Sequence, residues 1–76
     1  MSKSQSFSIN QKVNSLLAAE RKAKGVTQAE LAAKLKKPQS FVSKYEGGQR
    51  QLTVANYAAV CKALGIKPEK ILNRLS

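Results

Sequence analysis

Lys34, Lys36, Lys37, Lys44 and Arg50 crowd into the middle of this chain, and they belong to a larger excess. Fourteen lysines and arginines stand against four glutamates, a net charge of +10. The chemistry of that inventory is recognition of polyanions, through neutralisation of phosphates and release of their counterions. The charge is not a tail. Lys3, Lys12, Arg21, Lys22 and Lys24 lie in the first third, and Lys62, Lys67, Lys70 and Arg74 in the last. A merely cationic surface would carry the same numbers, so charge alone does not decide the function.

Other chemistries are poorly supplied. The chain has no histidine, the usual general base and commonest metal ligand. Its one cysteine, Cys61, builds neither an internal disulfide nor a thiolate metal site. The acids Glu20, Glu30, Glu46 and Glu69 are far apart in sequence, and no glycine falls in a phosphate-loop frame. The expectation is therefore no enzyme, no metal, no cofactor and no small-molecule ligand. The N-terminus lacks the apolar run of a signal peptide, and no stretch approaches the roughly 18 apolar residues of a membrane span. A cytoplasmic, nucleoid-associated protein without a membrane partner is expected. Seventy-six residues allow one domain with a small core.

The elements that would carry these cations read as helices. Residues 1–8 are polar and are expected to form a flexible segment, with the domain over 9–76. Ser8 and Gln11 fit a capping box opening a helix over about 9–24, with Val13, Leu16, Leu17 and Ala23 on one face and Gly25 closing it. Thr27 and Glu30 form a second capping box, followed by Leu31, Ala32 and Leu35 at helical spacing. Pro38, which suits the first turn of a helix, predicts another over 38–46, with Phe41, Val42 and Tyr45 on its apolar side and Gly47-Gly48 as its stop. A fourth helix is predicted from Thr53 to Leu64, with Val54, Tyr57, Ala58, Cys61 and Leu64 in one stripe. Pro68 opens a short fifth helix holding Ile71, Leu72 and Leu75. No segment alternates with period two, so the fold class is all-α, a five-helix bundle.

The middle of the chain is the most specific part. From Gln28 to Tyr45 two short helices meet across three residues, which forces a large crossing angle. Ala32 is small enough to let the second helix approach, and Leu31, Leu35, Val42 and Tyr45 are spaced to face inward. This is helix-turn-helix logic, in which the second helix enters the DNA major groove.

The segments Thr27-Gln28-Ala29-Glu30-Leu31-Ala32 and Gln39-Ser40-Phe41-Val42-Ser43-Lys44-Tyr45-Glu46-Gly47-Gly48, with Ala63-Leu64-Gly65-Ile66 further on, resemble the Cro/phage-repressor (Xre-like) helix-turn-helix family. The resemblance covers roughly residues 10–74. It implies that Gln28, at a helix N-terminus, donates to a backbone phosphate. It implies that Gln39 and Ser40 reach base edges, with Lys44 and, more weakly, Ser43 beside them. It places Arg50 in a phosphate-contacting loop, and it pairs Arg21 with Glu46 in an ion pair joining helix one to the end of helix three. Phe41 lies between base-reading and buried positions and is expected to be exposed and functional. Two positions depart from the family's pattern. Lys36 stands where glycine is usual, at about 1 kcal/mol of left-handed strain or with a different turn. Lys37 stands where an apolar residue is usual. Both add positive charge where helix three meets the DNA backbone, and both are counted as phosphate contacts.

The expected function is a sequence-specific, double-stranded DNA-binding transcriptional regulator of the repressor type. The alternative is an antitoxin-type interaction module that binds a protein partner as well as DNA. One recognition helix covers few base pairs, so a homodimer is expected. Val60, Ile71, Leu72 and Leu75 are the candidate interface, as apolar residues in excess of what so short a chain would bury.

Overall fold

The computed structural model describes residues 2–75, with side chains from Ile9 to Leu75. Five helices follow in order: α1 Ser2–Ala23, α2 Gln28–Leu35, α3 Gln39–Glu46, α4 Val54–Leu64 and α5 Pro68–Asn73. There is no strand among the described residues. No helix of the described residues is long and apolar enough to cross a membrane.

The helix starts follow from local chemistry. Thr27 caps α2: its hydroxyl accepts from the Glu30 amide at 3.0 Å, and the Glu30 carboxylate accepts from the Thr27 amide at 2.8 Å. Thr53 caps α4 by accepting from the Asn56 amide at 3.0 Å. Pro38 stands just outside α3 as its N-cap, while Pro68 sits inside the first turn of α5.

Each of the first four helices also stops in the same way. An amide reaches back five residues: Val26 to Arg21, Lys37 to Ala32, Gln49 to Lys44 and Ile66 to Cys61, at 2.8 to 3.1 Å. This is the Schellman closure, and it requires the preceding residue to be left-handed. Gly25, Gly48 and Gly65 meet that requirement without strain, at φ +70°, +81° and +71°. The fourth such residue is Lys36, at φ 58° and ψ 42°. The lysine therefore accepts left-handed strain, and the turn keeps its ordinary form.

The first helix differs from expectation. Its backbone is helical from Ser2, so Ser8 and Gln11 lie inside a helix instead of capping one. No proline or glycine precedes Gly25, so nothing in the sequence breaks the helix at residue 8. At about 1.5 Å per residue the 22 residues of α1 reach about 33 Å, close to the 37 Å long axis of the molecule.

The core consists of Leu17, Leu31, Ala32, Phe41, Val42, Tyr45, Val60, Cys61, Leu64 and Ile71. Helix α2 packs on α3 and α4, while α1 spans α3, α4 and α5. Three sequence-based expectations are corrected here. On α4 the inward stripe is Val60, Cys61 and Leu64; Val54 is 85% exposed and Ala58 faces solvent. Val60 and Ile71 are fully buried, so they complete this core and present no surface to a second chain. Phe41 is only 5% exposed and belongs to the core instead of the surface.

Candidate nucleic-acid interface

Helix α3 presents its polar side to solvent. Gln39, Ser40, Ser43 and Lys44 are all exposed, while Phe41, Val42 and Tyr45 anchor the opposite side. Ala32, 2% exposed, lies in the core that α2 and α3 share, and its short side chain lets the two helices cross closely. The Ser43 hydroxyl donates to the Ser40 carbonyl at 3.2 Å, so it is turned along the helix. Gln39, Ser40 and Lys44 carry no side-chain bond of that kind among the described residues, leaving their donors available at the rim.

The C-terminal end of α3 is held by charge. Arg21 grips Glu46 with two bonds, Nε to Oε2 at 2.7 Å and Nη2 to Oε1 at 2.9 Å, and its Nη1 donates to the Val26 carbonyl at 2.8 Å. Gln28 adds a third bond to the carboxylate, Nε2 to Oε1 at 2.9 Å. Burial pushes the Glu46 carboxyl upward, but the bonds from Arg21 and Gln28 and the nearby positive charge outweigh it and hold its pKa below the usual range. Gln28 therefore spends one amide hydrogen on Glu46, and the other remains for an outside acceptor.

Each of the remaining acids is also placed. Glu20 is buried and pairs with Lys70 at 3.1 Å and Arg74 at 3.5 Å, tying α1 to α5. Glu30 serves the α2 capping box, and Glu69 lies in the first turn of α5. None of the four acids lines the cleft at the start of α3, which is formed by Lys37, Pro38, Ser40, Phe41, Lys44 and Arg50. Lys37 Nζ stands 5.5 Å and Arg50 Cζ 5.1 Å from the centre of the Phe41 ring. A long bond, 3.5 Å from Asn14 Nδ2 to the Arg50 carbonyl, attaches that loop to α1.

The structure thus brings Lys37, Ser40, Lys44 and Arg50 together. It does not bring Lys36, which lines a separate cleft with Lys34 and Lys62 between α2 and α4. Residues that the sequence reading missed are Glu20 with Lys70 and Arg74, and Asn14. The signal for Glu20 was available: it lies four residues after Leu16 on the face that α1 buries, and such a position needs a cation. No group of residues suited to hold a metal occurs among the described residues.

Of the candidate dimer residues, Leu72 is 50% exposed and Leu75 is half-buried. Leu72 lines an apolar cleft with Val13, Leu52, Val54 and Tyr57, which shares no residue with the cleft at the start of α3.

Comparison with known proteins places this geometry. The helix-turn-helix family model matches residues 17–71, which takes in α2, α3, α4 and the clamp residues Arg21 and Glu46. An Xre-family-like protein from Pseudomonas syringae pv. tomato is 40% identical, with 97% of this chain and 90% of that one covered and a TM-score of 0.91. The clp gene regulator ClgR from Corynebacterium glutamicum is 30% identical over 84% of this chain and 68% of that one, TM-score 0.80. The restriction-modification controller protein C.AhdI from Aeromonas hydrophila is 31% identical over 84% and 97% of the two chains, TM-score 0.78. No curated protein matches the chain. With that match running across the crossed pair of helices and the ion pair that holds them, this chain is a member of the Xre-like helix-turn-helix family.

Proposed function

We propose that this chain is a transcription regulator that binds duplex DNA in a sequence-specific manner, with α3 in the major groove. The observation that carries the reading is the polarity of α3: three core anchors on one side, and Gln39, Ser40 and Lys44 exposed on the other. Gln39 is the candidate for a bidentate bond to adenine, and Lys44 for guanine or a neighbouring phosphate. Lys37, Arg50 and the second amide hydrogen of Gln28 face the sugar-phosphate backbone. Two of the similar proteins are regulators by name, which supports the same class.

The regulator acts as a homodimer, because one short helix covers too few base pairs to select a site from a genome. The interface uses the apolar cleft of Leu72, Val54, Leu52 and Tyr57, together with the half-buried Leu75. The test is selection of bound sites from random duplexes, followed by footprinting. Recovery of a two-fold site with half-sites about one helical turn apart, roughly 34 Å, is the expected result. Recovery of no preferred sequence overturns sequence specificity. Affinity should also fall about 10³-fold or more between 50 and 200 mM salt if the dimer makes about six phosphate contacts.

A further inference from the structure

We propose that the cleft between the end of α2, the first turn of α3 and the loop after α3 is a single-phosphate site whose cations, Lys37, Lys44 and Arg50, are set in place by the ring of Phe41. Three observations lead there. Three like charges line one small cleft, and none of the four glutamates lines it, so the repulsion is left for an outside anion to relieve. No side chain caps α3, and Pro38 and Ser40 at its start line the same cleft. The Phe41 amide is bonded to the Pro38 carbonyl at 2.9 Å, which leaves the Gln39 and Ser40 amides at the positive end of the helix dipole, where an anion is favoured. Phe41 is fixed in the core, packed edge-to-face on Tyr45 with centroids 5.9 Å apart, and both Lys37 and Arg50 stand over its ring.

The third observation explains the second departure from the family pattern. The residue after the left-handed position is apolar at the ends of α1 and α4, where it is Val26 and Ile66, and polar at the ends of α2 and α3, where it is Lys37 and Gln49. A lysine can serve there because a lysine stem tolerates apolar neighbours while its charged end stays in water, and the Lys37 ammonium stands over the Phe41 ring at the cleft. The ring attracts both cations and limits where they move, so the entropy lost on gripping an anion is smaller. Phe41 is a positioning residue: it acts through Lys37 and Arg50, and a phosphate would meet the cations. The inference rests on the duplex-DNA reading only for the source of the phosphate, a backbone phosphodiester.

The test has two arms. In the first, the isotope-labelled chain is titrated with inorganic phosphate at constant ionic strength and followed by NMR. Saturating shifts at the Gln39 and Ser40 amides and the Arg50 Nε–H are expected; a uniform, non-saturating drift overturns the site. Phe41→Leu keeps an apolar core residue but removes the π face, and should weaken phosphate about two- to fivefold for each cation released. Phe41→Tyr keeps the face and should retain affinity. Equal affinity in all three proteins overturns the role of Phe41. If Phe41→Leu does not fold, Lys37→Gln and Arg50→Gln carry the test: each must weaken phosphate, and unchanged affinity overturns the site. In the second arm, duplexes carry one neutral methylphosphonate at successive positions. One position should weaken the wild type and have no effect on Lys37→Gln or Arg50→Gln. Phosphate saturation without any such position overturns the phosphodiester as the ligand. Phosphate saturation with no duplex binding at all sinks the DNA reading and leaves the cleft standing.

Discussion

Arg21 and Glu46, 25 residues apart in sequence, meet with both side chains only 8% exposed and two bonds of 2.7 and 2.9 Å between them. The guanidinium fork matches the carboxylate, and the third donor of Arg21 is used on the Val26 carbonyl. One side chain thus ties together α1, the turn before α2 and the last residue of α3. A charge pair removed from water this far is costly to break on one side, since the survivor is left buried and unpaired.

Removing one partner should therefore destabilise the domain far more than an exposed ion pair would. Arg21→Gln and Glu46→Gln are each expected to cost about 3 kcal/mol, with the double variant losing less than the sum. Denaturant unfolding of the four proteins measures the coupling. Strict additivity would show that the two side chains do not meet in solution.

Acid should act through the same pair. The Glu46 pKa is lower folded than its usual value near 4.5. A depressed carboxyl contributes stability that is present above the unfolded pKa and lost as pH falls through the folded pKa. Stability of the wild type should decline as pH drops below about 4.5, and the decline should be shallower in Glu46→Gln. Parallel melting-temperature profiles for the two proteins would assign acid sensitivity to another group.

Lys36 and Lys37 are adjacent in sequence and separate in space. Lys36→Gly relieves a left-handed side chain and should stabilise by about 0.5–1 kcal/mol, the gain from lost strain exceeding the added unfolded-state entropy. Its salt dependence of DNA binding should stay that of the wild type. Lys37→Gln should reduce the slope of log affinity against log salt by about 1.8, one phosphate contact from each chain of the proposed dimer. Equal slopes for Lys37→Gln and wild type would remove Lys37 from the backbone.

Tyr45 is fully buried, and its hydroxyl has no hydrogen-bond partner among the described residues. Burial pushes its pKa well above the usual tyrosine value. Removing an unsatisfied buried hydroxyl while keeping the ring should be neutral or stabilising, by up to about 1 kcal/mol. That is a rise of up to about 8 °C in melting temperature for Tyr45→Phe. A clear fall would mean that the hydroxyl is bonded in solution.

The proposed homodimer makes opposite demands on two residues of one short helix. Leu72→Glu should leave the fold intact and shift light scattering at tens of micromolar toward the monomer. Ile71→Glu should unfold the chain, because it places a charge in the core beside Val60 and Leu64. A wild type that is monomeric both alone and on its DNA would end the dimer proposal.

Much of the architecture was legible because it depends on neighbours in sequence. Capping boxes, prolines at helix starts and left-handed residues at helix ends act within one turn, so Thr27, Thr53, Pro68, Gly25 and Gly65 mark their helices without any tertiary information. The spacing of α2 and α3 across three residues fixed their crossing for the same reason. The start of α1 was misread because a capping signal at Ser8 is only permissive: a helix runs through it when nothing breaks the chain.

What tertiary structure decided was direction. On α4 the helical period allows an apolar stripe that includes Val54 and Ala58 or one that includes Val60; the positions of α1 and α2 chose the latter. Phe41 had two sides open to it, and the core took the ring while the cations took its face. Lys36 and Lys37 part because one left-handed residue turns the chain between α2 and α3. Sequence patterns fix which residues share a face within a helix, because that depends on a period of 3.6. Which face turns inward depends on apolar surface contributed by other helices, and only the packed bundle supplies it.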